Sequence, residues 1–162
     1  MTRHINILGS VSIVVSLLVL VACSRPETDR IKAVSALALT TLLEEEDFDE
    51  WSTFYQSGAR VNGSDLAATV MKSYARGLHF AFPDMTITLI EQIAAENRVV
   101  THFAIKGTHK GAFSALPPTN RYVELEGVAI DHFQDDLILS TRLILDISRL
   151  NSRLASGSRR SN

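Results

Sequence analysis

The apolar period of this 162-residue chain changes once, at Pro83, and that change limits it to one broad architecture. Ahead of Pro83 apolar side chains recur every third or fourth position; beyond it they alternate. Residues 26–43 read as an amphipathic helix through Ile31, Val34, Leu37, Ala38 and Leu42, with Pro26 suited to a first turn. Glu44-Glu45-Glu46-Asp47 interrupts the stripe as a solvated turn, and consecutive carboxylates lack the spaced ligands of a calcium loop. Phe48, Trp51, Phe54 and Tyr55 then predict a short second helix. Val61-Asn62-Gly63-Ser64-Asp65 carries turn chemistry, with Ser64 as cap of a third helix through Leu66, Val70, Tyr74 and Leu78. Strands follow at 85–95, 98–108, 121–133 and 137–146, divided by Glu96-Asn97, by residues 111–120 and by Gln134-Asp135-Asp136. Such short separations favour consecutive antiparallel pairing. The expected class is α+β: three N-terminal helices packed on a curved antiparallel sheet, with a last short helix over 147–154.

The N-terminus addresses the chain. Arg3 precedes an apolar run from Ile5 to Val21, the layout of a secretory signal, although a span of that length also suits a retained membrane anchor. Leu20-Val21-Ala22-Cys23 resembles a lipobox, in which cleavage exposes a cysteine acylated on sulfur. Cys23 is the chain's one cysteine and has no disulfide partner within it. Several acyl chains on one residue hold a protein to a membrane nearly permanently. The expected order is a signal peptide over 1–22, a lipidated N-terminus and linker over 23–30, one domain over 31–154 and a disordered Ser/Gly-rich tail over 155–162. Ser24, where an Asp would argue for inner-membrane retention, points to the periplasmic side of the outer membrane in a Gram-negative host.

Net charge is −2 with histidines neutral, and loss of the signal, which holds Arg3 and no acid, makes it one unit more negative. Nucleic acid requires a clustered basic face and is not an expected partner. His79, His102 and His132 lack metal-ligand spacing, so no metal is expected. There is no G-x-S-x-G nucleophile elbow, and Gly107 and Gly111 flank a strand-to-loop transition instead of opening a phosphate-binding helix.

Three motifs in order carry a resemblance: Phe82-Pro83-Asp84-Met85, Gly107-Thr108-His109-Lys110-Gly111-Ala112-Phe113, and Leu116-Pro117-Pro118-Thr119-Asn120-Arg121. They are similar to the FPD, GTHxGxF and PPTxR signatures of the SnoaL-like polyketide cyclases, or ester cyclases, over roughly residues 31–154. The resemblance implies a nuclear-transport-factor-2-like cone and cofactor-free ring closure by an Asp acid/base with a His assisting at the oxygen that gains charge. Counted from PPTxR, the family's His falls on Ala129 and its catalytic Asp on Leu143, neither of which carries a proton; Asp146 matches a second family Asp. The period-two rule turns Leu125, Gly127, Ala129, Thr141, Leu143 and Leu145 to one face, with Asp131 beside them.

Asp131, His109 and Asp146 are therefore the candidate catalytic residues, and each has a plainer reading. Asp131 can lie at the strand's wet end, His109 can brace the loop before Pro117-Pro118, and Asp146 can cap the last helix. Trp51, Tyr55 and Tyr74 from the helical half, with Leu125, Gly127, Ala129, Thr141 and Leu143 from the sheet, are the expected pocket lining. Two functions remain open. One is a membrane-tethered module binding a small apolar molecule, favoured by the missing His/Asp pair; the other is a cyclase acting on a polyketide-like ester with a relocated acid/base. An ionisable group with a shifted pKa projecting into the cavity would favour the enzyme. The outer face, with Glu124, Glu126, Val128, Ile130 and His132, permits a homodimer.

Overall fold

The computed structural model describes residues 25–65, 68–113 and 116–155; the signal segment, Cys23, Ser24, Leu66 and the tail from 156 lie outside the described residues. Helix α1, Arg25–Thr40, runs directly into a π-helical turn, Thr41–Glu45. The combined element buries Ile31, Ser35, Ala38, Leu39, Leu42 and Leu43, the three-and-four spacing of one helix face. Two acids of the following run have local jobs. Glu46 ends the π turn in the left-handed region at φ 54°, and the Asp47 side chain caps α2, Phe48–Thr53, by accepting from the Asp49 and Glu50 N–H groups at 3.2 and 2.9 Å.

The segment after α2 corrects two expectations. Tyr55 does not extend the helix but opens strand β1, Tyr55–Val61. Ser64 does not cap the third helix but lies in β2, Ser64–Asp65. Asn62 and Gly63 between them both have positive φ, 53° and 81°, the two-residue hairpin turn for which Asn-Gly is suited. The third helix, α3, spans Ala68–Ala81. Two short strands thus interrupt the helical half, with Ala59 and Val61 of β1 buried and Tyr55 packed against the core.

Strands β3 (Thr86–Ala95), β4 (Arg98–Thr108), β5 (Tyr122–Gln134) and β6 (Leu137–Leu145) form the expected meander, and α4, Ile147–Ala155, follows. The sheet order is β2-β1-β6-β5-β4-β3. It is mixed, not wholly antiparallel, because β1 adds to the edge of β6 in parallel. The reason is topological: β1 precedes the meander and reaches its last strand only by a crossover. Register shifts between Leu89 and Glu91 and between His132 and Phe133 are the irregularities by which such a sheet bends. Along β5, Val123, Leu125, Gly127, Ala129, Asp131 and Phe133 are buried while their neighbours are not, so the inner face follows the period of two. Helix α1 packs on β3 and β4, and α4 on β5, closing the cone. Among the described residues no helix is long and apolar enough to cross a membrane.

Candidate functional site

Asp131 is the buried acid at the centre of a small polar cluster inside the cone. It sits on the inner face of β5, is 3% exposed, and is opposed by Thr141 on β6 and Val99 on β4. The Ser35 hydroxyl on α1 donates to its Oδ2 at 2.5 Å, and the Thr141 hydroxyl to its Oδ1 at 2.6 Å. Since a hydroxyl has one proton, these two bonds set the direction of the rest. Thr101 Oγ1 must donate to Ser35 Oγ across 3.1 Å, and the Tyr55 hydroxyl to Thr141 Oγ1 across 3.2 Å. Gln92 Nε2 supplies Thr101 at 3.0 Å. Two chains of donors, Gln92–Thr101–Ser35 and Tyr55–Thr141, converge on one carboxyl.

Burial nevertheless raises the Asp131 pKa above the usual carboxylate range, with the Ser35 and Thr141 bonds opposing that rise. The Tyr55 phenol is pushed up as well, first by burial and then by the Asp131 charge, so it stays a donor. Thr141→Val keeps the shape and removes one donor. The Asp131 titration is expected to move further up in pH, with stability falling by about 1 kcal/mol. Carboxyl NMR shifts across a pH series, alongside urea unfolding, check both, and an unmoved titration would count against the assigned bond.

Asp131, Tyr55, Ala129, Thr141 and Leu143 border a cavity of about 20 Å³ that Ser35, Ala38, Leu39 and Leu42 close from the helical side. That volume suits one water, not the small-molecule pocket expected from the sequence. The other pocket residues proposed from the sequence lie elsewhere. Trp51 is wholly buried, its ring 4.8 Å from that of Tyr55, and Tyr74 packs at the core margin. Leu125 borders a separate void of about 10 Å³ with Leu78, Phe82 and Leu150. Gly127 is pressed so tightly that a Cβ would lie 2.6 Å from Phe103 Cζ and 2.5 Å from Leu145 Cδ2. Helical spacing marks which aromatics turn inward, but only packing decides whether space is left beside them.

The three candidate acid/bases do not meet. His109 follows β4, ten residues beyond the Val99 that faces Asp131, which places it roughly 33 Å along the strand at ~3.3 Å per residue. It is fully buried in a knot formed by the three signature motifs. Its N–H donates to the Arg121 carbonyl at 2.9 Å, and its own carbonyl accepts from Thr119 and Asn120. Its ring contacts Thr119 Oγ1 through Nδ1 at 3.1 Å and lies 5.4 Å from the Phe82 ring. Lys110 and Gly111 N–H groups donate to the Ala81 carbonyl, while Asp84 accepts from Thr108 N at 2.7 Å and Thr108 Oγ1 at 2.6 Å. These Thr108 bonds, side chain first, hold the Asp84 carboxyl below its ordinary range. Arg121 donates to the Arg153 carbonyl in the last turn of α4. Asp146 precedes α4 and accepts from Arg149 N at 3.0 Å.

Burial lowers the His109 pKa, so the folded chain favours the neutral ring while the unfolded chain protonates near 6.5. The contribution is therefore present above the unfolded value and lost as pH falls from there toward the folded one. His109→Gln is expected to flatten that part of the stability profile. Urea unfolding at about pH 7.5 and about pH 5 tests this linkage, and equal acid losses in the variant and the parent would contradict it. Among the described residues there is no group of three or more His, Cys, Asp or Glu side chains that could hold a metal.

The architecture defines an α+β cone with one buried carboxylic acid inside among the described residues. The family model for SnoaL-like polyketide cyclase matches residues 33–153, and the chain belongs to that family. No curated protein matches at a significant level. Solved structures share the fold. AclR from Streptomyces galilaeus is 20% identical at TM-score 0.69, covering 79% of this chain and 86% of its own. A SnoaL-like polyketide cyclase from Agrobacterium tumefaciens is 19% identical at TM-score 0.64, covering 76% and 97%. TsrD from Streptomyces laurentii is 15% identical at TM-score 0.67, covering 78% and 95%.

Proposed function

We propose that the chain is a lipid-tethered SnoaL-like enzyme that moves a proton on a small, largely apolar carbonyl compound without cofactor, using Asp131 as acid/base. The observation that carries this reading is the Asp131 carboxyl, buried inside the cone with its pKa raised by that burial. A base of that kind is better matched to neutral pH than an ordinary carboxylate. Tyr55, two hydrogen bonds from the carboxyl through Thr141, is a donor that, once turned from Thr141, suits an oxygen that gains charge as the carbon proton leaves. The acid/base thus stands two positions along β5 from Ala129, where the family pattern has its His. Ring closure of the aldol type on a polyketide-like ester is the reaction the family relationship suggests.

A second reading, a carrier that holds an apolar molecule unchanged, is favoured by one observation. Both Asp131 oxygens already accept internal bonds, and the cavity beside them is about 20 Å³, so a ligand enters only if α1 yields. The π-helical turn at the end of α1 is the kind of irregularity often found where helices bend at sites.

Mass spectrometry of small molecules co-purifying with the full-length wild type and with Asp131→Asn separates the two. A compound that accumulates on the variant and appears converted on the wild type supports the enzyme. The same unaltered compound on both would establish a carrier. The tether is tested separately: Cys23→Ala is expected to abolish acylation and release the domain from membranes, and an unchanged mass and partition would remove the lipid anchor from the proposal.

A further inference from the structure

A recess far larger than the inner cavity lies outside the cone. A groove of about 430 Å³ lies across the sheet from the inner cavity, bordered by Arg60, Arg98, Ile130, His132, Arg142 and Ile144. Strand register builds it. Arg98 pairs with His132, His132 with Ser140, and Ser140 with Arg60, a row of facing residues across four strands. In the next row Ile130 pairs with Arg142, and in the one after Val128 pairs with Ile144. Facing residues on neighbouring strands stand ~5 Å apart, so Arg98 and Arg142, two strands apart, flank the strand that carries Ile130 between them.

Two features suit this groove to a ligand. Arg98 and Arg142 are exposed, and neither forms an ion pair with an acidic side chain among the described residues. His132 is held by Asn97, whose amide lies 2.9 Å from Nε2. Ile144 is 52% exposed at the opposite end. Asp131 and Thr141 also border the groove, but their side chains bond to each other in the buried network and do not neutralise the arginines from above. The volume falls in the range of small-molecule sites, whereas the inner cavity does not. Planar guanidinium forks favour carboxylate or phosphate, and the isoleucines favour hydrocarbon.

We infer that the Arg98/Arg142 groove on the outer sheet face binds a single-chain anionic amphiphile, a phosphate or carboxylate headgroup seated among the arginines with its apolar part along Ile130 and Ile144. The site is separate from the cone, and its test does not depend on the activity proposed there.

Titration of the full-length protein with monomeric dodecyl phosphate, inorganic phosphate and dodecyl maltoside decides the matter. Dodecyl phosphate is expected to bind, at least about tenfold more tightly than either half-probe, and more weakly as salt rises. Arg98→Gln and Arg142→Gln should each weaken it by roughly tenfold at unchanged melting temperature. Ile144→Ser should weaken dodecyl phosphate while leaving inorganic phosphate as it was. Equal binding of dodecyl maltoside, equal binding of inorganic phosphate, or unchanged affinity in both arginine variants would overturn the inference. Vesicles of phosphatidylglycerol in phosphatidylcholine form the last arm: binding to these with none to the monomeric amphiphile would also overturn it, making the face a membrane-docking surface.

Discussion

Gly111→Ala is expected to cost about 3 kcal/mol or more and to lower the melting temperature by on the order of 10 °C. A Cβ at this position would lie 2.1 Å from the Phe80 carbonyl oxygen and 2.8 Å from its carbon. Those are backbone atoms at the end of α3, and they cannot swing aside as a side-chain tip would. The Gly111 N–H is committed to the Ala81 carbonyl at 3.1 Å, so the loop cannot retreat without losing a bond. The same knot holds His109, Asp84 and Arg121, so one methyl group should loosen all three motifs together. Differential scanning calorimetry is the direct check. A melting temperature within 2–3 °C of the parent, a change on the order of 1 kcal/mol, would mean that the loop packs elsewhere in solution.

Asp131→Asn should separate chemistry from architecture. The amide fills nearly the same space, yet it cannot take a proton from carbon, and loss of a general base typically lowers a rate 10²- to 10⁴-fold. Turnover of whatever compound co-purifies with the wild type is expected to fall by that order. The variant should also change the dependence of stability on pH. Because the folded-state pKa of Asp131 is raised, the folded chain holds this proton when the unfolded chain has released it. The parent therefore loses stability as pH rises from the unfolded value near 3.8 through the folded value, and Asn abolishes that loss. Asp131→Ala is the harsher change: the Ser35 and Thr141 hydroxyls lose their acceptor, at about 1–3 kcal/mol for a stranded buried group. Chemical unfolding of the three proteins across the acid range reads both effects. Parallel pH profiles for parent and Asn variant would show that Asp131 titrates alike in both states.

The signature motifs that make the family legible are, in this structure, a structural unit. FPD, GTHxGxF and PPTxR meet at one end of the cone through Phe82, His109, Phe113 and the Asp84–Thr108 bonds. The proposed chemistry lies at the other end of β4 and β5, in residues that belong to none of the three motifs. Asp131 could be singled out as the nearest ionisable group to Ala129 on the inward face. Ser35, Thr101 and Gln92 could not, because nothing in a helical or strand period distinguishes a serine that meets a carboxylate 96 positions away.

Local chemistry alone determined much of this protein: the change of period at Pro83, the four long strands, their inner and outer faces, and the turn at Asn62-Gly63. Those features depend on residues near one another in sequence, where alternation and turn preference act. Tertiary structure decided the rest. The parallel docking of β1 on β6, the closing of the cone to about 20 Å³, and the row Arg98–His132–Ser140–Arg60 all arise from contacts between distant segments. Such contacts depend on side-chain volume and strand register, which no local pattern encodes.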